Sequence, residues 1–216
     1  MISNTLIKRF ISSFFLFPIT LIIIIDGNFA FNLFLIIILL ITCNEWLSIT
    51  KSYFYRVTGL IFIHFSLFTS YLIRNNNDYN GLDFFILIFL ICVLTDIGGY
   101  IFGNIFKGPK LTNISPNKTF SGVVGSFLFS LSLIFLITFF DYENSFIYHE
   151  LKINIFILII FISSVSQLGD ILISFFKRKA NLKDTGKIIP GHGGLLDRID
   201  GMILAFPFSY IIGFFI

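Results

Sequence analysis

The chain has 216 residues, 56% of them hydrophobic and only 12% charged, and its mean hydropathy is strongly positive. A water-soluble domain cannot hide that much apolar surface, so the surrounding solvent is largely lipid. The formal net charge of +3 is small and no long basic tract is present, which argues against nucleic acid and for anionic headgroups or phosphorylated substrates.

Seven apolar stretches follow one another at 10–25, 29–43, 57–73, 84–106, 119–140, 153–173 and 202–216. They predict an all-α fold, a polytopic transmembrane helical bundle of about seven spans, with six to eight compatible with the pattern. The polar breaks are too short to house a soluble domain, so 1–216 reads as one membrane domain, with N-terminal helices over 1–83 and a catalytic part over 84–216. The first two stretches are short and flank Asp26-Gly27-Asn28, a turn signal, so they read as a tight helical hairpin. Lys8 and Arg9 before the first stretch match a signal peptide's start, but no small-residue cleavage site follows, which predicts an uncleaved first helix. Cys43 and Cys92 each lie in an apolar run without a partner at metal-site spacing and read as packing thiols. The 31 Phe are spread through every run and carry no functional weight.

Lys and Arg near span ends are retained on the cytoplasmic side. With the N-terminus inside, thirteen basic residues fall on inner segments and only two, Arg74 and Lys152, on outer ones. The polar stretch 170–200 then faces the cytoplasm.

Ionisable residues within spans are costly in lipid, so Asp96 and Asp170 need a partner, a wet cavity or a metal. Ser163, Ser166, Gln167, Asp170, Ser174 and Lys177 recur at three- and four-residue steps, which puts them on one face of a helix that lines the protein interior. Asp96, Gly99, Tyr100 and Gly103 share another face, where the glycines permit close helix approach and Asp96 can reach the Asp170 helix. After the fourth stretch, Ser115-Pro116-Asn117-Lys118-Thr119 forms a turn into a helix start, offering hydroxyls, backbone donors and a positive charge to phosphate.

The last inner segment packs Ser174, Lys177, Arg178, Lys183, Asp184, His192, Gly193, Gly194, Asp197, Arg198 and Asp200 into one stretch. Asp197 and Asp200, three residues apart, fall on one side of a helical turn and supply hard oxygen ligands of the kind Mg²⁺ prefers. Glycines around His192 let backbone approach a ligand, and Lys177, Arg178, Lys183 and Arg198 would neutralise phosphate charge. His64 and His149 read as packing or surface residues.

This segment resembles the signature of the phosphatidate cytidylyltransferase family, also called CDP-diglyceride synthases. Every fixed position is present: Ser174, Lys177, Arg178, Lys183, Asp184, Pro190, His192, Gly193, Gly194, Asp197, Arg198 and Asp200. Asp96, Tyr100, Gly103 and the run from Ser115 to Thr119 are similar to the family's second block. Three features depart from the family: Ser121 and Ile173 stand where acids are common, and the N-terminal half is short. The resemblance implies transfer of CMP from CTP to phosphatidic acid, giving CDP-diacylglycerol and pyrophosphate. It further implies Asp170, Asp197 and Asp96 at Mg²⁺, with room for a second cation, and Asp197, Asp200, Lys183 and Arg198 in catalysis. Lys177, Arg178, Ser174, Ser115, Lys118, His192, Gly193 and Gly194 would bind substrate. A bacterial plasma membrane, with the site on the cytoplasmic side, and a homodimer packed through small-residue faces are the matching expectations. The competing readings are a transporter of a phosphorylated metabolite, with Asp96 and Asp170 coupling ions, and a lipid phosphotransferase using CDP-alcohols.

Overall fold

The structure, a computed structural model, describes residues 16–76, 81–112, 114–115, 118–139, 154–189 and 193–213. Among these residues the chain forms seven helices and no strand: α1 (Leu16–Asp26), α2 (Asn28–Ile49), α3 (Tyr53–Arg74), α4 (Gly81–Phe106), α5 (Phe120–Phe139), α6 (Ile155–Lys179) and α7 (Leu196–Gly213). Each expected apolar stretch holds one helix. The helices outrun the apolar runs: α2 continues past Cys43 to Ile49, α6 to Lys179, and α7 starts at Leu196 rather than near 202. A backbone at a lipid boundary keeps its hydrogen bonds internal as long as it can, so helices extend past the point where the side chains turn polar. Five helices, α2 to α6, are long and apolar enough to cross a membrane, and the chain is an integral membrane protein.

α1 and α2 meet at Gly27, whose φ of 69° is the conformation the turn needs. Arg74 reaches back from the last turn of α3, donating from Nε to the Ile24 carbonyl (3.0 Å) and from Nη2 to that of Ile25 (3.0 Å). These contacts satisfy carbonyls at the end of α1 that lipid could not.

Lipid is as apolar as leucine, so close packing and internal hydrogen bonds hold the bundle together more than transfer from water does. The tightest pairing is α4 on α5. A side chain on Gly98 would overlap the Gly125 carbonyl, and one on Gly99 would come within 2.7 Å of Ser126 Oγ. The Ser126 hydroxyl donates to the Thr95 carbonyl (2.7 Å), and the Thr95 hydroxyl donates to Ser163 on α6 (2.8 Å). Tyr100 stands out of this seam, 68% exposed, because it points away from the face that Gly99 and Gly103 give to α5.

α6 and α7 cross at Gly169 and Gly201, where an added Cβ on Gly169 would lie 2.5 Å from the Asp200 carbonyl oxygen. That crossing brings Asp170 and Asp200 together. Near the same ends, Trp46 of α2 donates to the Tyr55 carbonyl (3.1 Å) and meets the Phe176 ring edge-on at 4.8 Å. The inward ends of α2, α6 and α7 are thereby joined around Trp46, Ile173 and Leu196, all buried.

Candidate functional site

The face of α6 expected to look inward does so: Ser163, Ser166, Ser174 and Lys177 are buried, and Gln167 and Asp170 are half-buried. Asp170 lies nine residues from the end of α6, about 14 Å along the axis at the helical rise. There its carboxylate meets Lys118 Nζ at 2.6 Å and accepts from the Ser174 hydroxyl at 3.2 Å. Lys118 also donates to the Gln167 carbonyl at 3.3 Å, which fixes the ammonium over this part of α6. The Asp170, Asp200 and Asp96 carboxyls lie within electrostatic range of one another. Asp96 from α4, Asp170 from α6 and Asp200 from α7 therefore converge, as the sequence led one to expect for Asp96 and Asp170. Asp96 is exposed while Asp200 is buried, so the cluster has one accessible side and one packed against the bundle. Neighbouring carboxylates repel unless a proton, an ammonium or a cation offsets their charge.

Asp197 is engaged elsewhere. Its Oδ1 accepts from Lys177 Nζ at 2.8 Å, and its Oδ2 accepts from the backbone N–H of Thr185 (2.8 Å) and of Gly194 (3.0 Å). Lys177, expected to meet substrate, is buried in this pair, while Arg178 is exposed and donates to the Leu182 carbonyl at 3.0 Å. Gly193 has φ 90°, and a side chain there would come 2.9 Å from Asp197 Oδ2, so both backbone and space call for glycine. Lys183 and Arg198 are exposed at the mouth of this loop, with Arg198 in electrostatic range of Asp96. His192 lies outside the described residues.

Lys118 is delivered by a closed turn. Its N–H donates to the Ser115 carbonyl at 3.0 Å, Leu111 N–H donates to the Lys118 carbonyl at 2.8 Å, and Lys110 bridges Thr119. Thr119 Oγ1 accepts from Gly122 N–H at 3.1 Å, capping the start of α5. Ser121, where an acid is common in the family, contacts the Thr119 hydroxyl at 2.9 Å and the Lys107 carbonyl.

One residue escaped the sequence reading. Glu45 of α2 is 4% exposed, and its carboxylate accepts from Leu195 N–H (2.9 Å), Leu196 N–H (2.7 Å) and the Thr185 hydroxyl (3.0 Å). The signal was available, an acid beside an apolar run, but that run ends at Cys43, two residues short of Glu45.

Among the described residues no three His, Cys, Asp or Glu are grouped so as to hold a metal ion by themselves. Mg²⁺ seldom needs such a cage: it keeps several waters and binds through one or two carboxylates plus substrate phosphates. The Asp170–Asp200 pair with Asp96 beside it meets that lesser requirement.

Fold and site together define a membrane-embedded helical protein with a carboxylate–lysine centre at one end of its bundle. The model of the "Cytidylyltransferase family" matches residues 54–216, and the chain belongs to that family. It is similar to the phosphatidate cytidylyltransferase of Rickettsia bellii (strain RML369-C), with 34% identity over 215 residues, 97% of this chain and 91% of that protein. The Rickettsia felis (strain ATCC VR-1525 / URRWXCal2) protein of the same name is 36% identical over 94% of this chain and 90% of its own length. One from Staphylococcus haemolyticus (strain JCSC1435) is 39% identical over 62% of this chain and 50% of that protein. These matches give the transporter reading no support.

Proposed function

We propose that this chain transfers CMP from CTP to the phosphate of phosphatidic acid, forming CDP-diacylglycerol and pyrophosphate. Relatives that share nearly the whole chain bear the name phosphatidate cytidylyltransferase. The observation that carries the reading to chemistry is the convergence of Asp96 and Asp170 on Lys118, with Asp200 beside both carboxylates.

The lipid phosphate oxygen is already an anionic nucleophile. It forms a bond to the α-phosphorus of CTP while the bond to the α–β bridging oxygen breaks, and pyrophosphate leaves with that electron pair. No strong general base is required, and the protein's task is to align the anions and offset charge. Asp170 and Asp200, with Asp96 adjacent, would hold Mg²⁺, which would neutralise phosphate charge, and the cluster would have room for a second cation. Lys118, Arg198 and Lys183 would steady the triphosphate, with Gly193, Gly194, His192 and Ser115 shaping its bed. Arg178, at the end of α6, suits the lipid headgroup while acyl chains stay in the bilayer. Asp197 and Lys177 hold the loop, and in this arrangement Asp197 would reach a cation only after Lys177 releases it. The thirteen-to-two distribution of basic residues supports a cytoplasmic face, and the bacterial relatives support the plasma membrane. Glycine seams of the kind seen in α4 would suit a homodimer.

Purified protein given labelled CTP, phosphatidic acid and Mg²⁺ is expected to make CDP-diacylglycerol and pyrophosphate, and a chelator to stop it. Asp170→Asn should lower turnover at least about a hundredfold. Absence of product from folded wild type would refute the function; undiminished turnover by D170N would refute the role of Asp170.

A further inference from the structure

Glu45 takes no part in the chemistry above. We infer that it is a positioning residue for the transfer, fixing the Thr185 loop and the start of α7, the helix that carries Asp197 and Asp200; this rests on the cytidylyltransferase reading.

Its place in the chain is the first reason. Glu45 lies on α2, ahead of the segment 54–216 that matches the family model, yet its three hydrogen bonds all go to residues of the signature region. The second reason is energetic. Its carboxylate is buried, and among the described residues it has no lysine or arginine in salt-bridge range. Its charge is answered instead by the N-terminal end of α7, whose free N–H groups and dipole favour an anion. A neutral Ser or Asn in the chain just ahead of α7 would cap that helix with a smaller desolvation penalty. What a local cap cannot do is tie α7 and the Thr185 loop to a third helix.

The third reason is how the loop is shaped. A Cβ on Gly186 or on Gly194 would come 2.6 Å from a Glu45 carboxylate oxygen, so both glycines leave space that the carboxylate fills. The same stretch is gripped from its other side, because Thr185 and Gly194 give their N–H groups to Asp197. Thr185 therefore offers its hydroxyl to one carboxylate and its backbone to the other. Loss of Glu45 frees the turn before α7, and with it the register of Asp200 against Asp170.

The test compares Glu45→Gln and Thr185→Val with wild type. E45Q keeps the side chain's shape but loses the charge and sets an amide against two backbone donors. It is expected to lower kcat about tenfold or more, with KM for phosphatidate changed less than about twofold, in protein that still melts cooperatively in detergent. T185V removes one donor of three, so kcat should fall only about two- to fivefold, and adding it to E45Q should cost less than that. Amide exchange at Leu195 and Leu196 should quicken in E45Q whether or not the wild type turns over the proposed substrates. A merely structural residue would leave the folded E45Q fraction with wild-type kcat, and that result, or unchanged exchange at the two amides, overturns the inference. Should E45Q not fold, T185V decides, and wild-type kcat there overturns it equally. A wild type with no turnover but with clamped amides that E45Q releases would sink the transferase reading and leave the clamp standing.

Discussion

Asp197 and Lys177 hold each other in a place where neither has water to fall back on, with side chains 5% and 10% exposed. Removing one partner of such a pair strands the other, which typically costs about 3–5 kcal/mol. The two partners are not equivalent here. Without Lys177, Asp197 keeps two backbone donors; with asparagine at 197, Lys177 loses its anion and the one remaining oxygen cannot serve both Lys177 and the N–H groups of Thr185 and Gly194. Asp197→Asn should therefore lower the detergent melting temperature more than Lys177→Met, and the reverse order would show that the loop clamp matters less than the charge. The sequence could not apportion these roles. Residues three apart on a helix point about 60° from each other, so Asp197 and Asp200 were legible as neighbours on one side of a turn. That angle is enough to send one carboxylate to the Lys177 loop and the other to Asp170, a choice made by tertiary contacts. Asp96 and Asp170 were readable because a carboxyl within an apolar span needs a reason to be there. Glu45 obeys the same rule and was missed only because α2 runs six residues beyond the apolar stretch.

At the scale of elements, the α4–α5 seam separates glycines that must be glycine from those that merely are. Alanine is about 1 kcal/mol better than glycine inside a helix, so a substitution that meets open space should help or do nothing. A methyl on Gly125 would overlap the Phe102 side chain and approach the Gly98 carbonyl to 2.6 Å, whereas on Gly103 its nearest neighbour is Thr119 Oγ1 at 3.3 Å. Gly125→Ala is expected to destabilise by about 1–3 kcal/mol, as overpacking does, and Gly103→Ala to stay within about 1 kcal/mol. Thermal unfolding of the two variants in the same detergent checks this, and equal losses would mean that the seam relaxes freely. Sequence pattern revealed that Gly99 and Gly103 permit close approach but not which helix approaches, since a glycine marks an absence and the partner is fixed only when α5 docks. The helices α2 to α6 were legible for a simpler reason: each holds an apolar run near the bilayer's thickness, followed by charge.

For the whole molecule, the arrangement of helix ends makes the orientation a single choice. The end of α2 meets the start of α7 through Glu45, Lys118 before α5 meets Asp170, and Lys177 near the end of α6 meets Asp197, so the site joins one side of the bundle only. The distribution of basic residues supports the proposal that this side faces the cytoplasm, where CTP would have to enter. With Cys43 and Cys92 replaced by alanine, single cysteines at Lys187 and Asn75, both exposed, report the two faces. A membrane-impermeant maleimide added to intact spheroplasts should label Asn75→Cys and spare Lys187→Cys until the membrane is broken. Labelling of Lys187→Cys from outside would invert the protein and turn the carboxylate–lysine centre away from the nucleotide pool. On the proposed orientation the sidedness of the site would follow from charges that touch no substrate, while the site itself would depend on a few acids that the same membrane makes costly to bury.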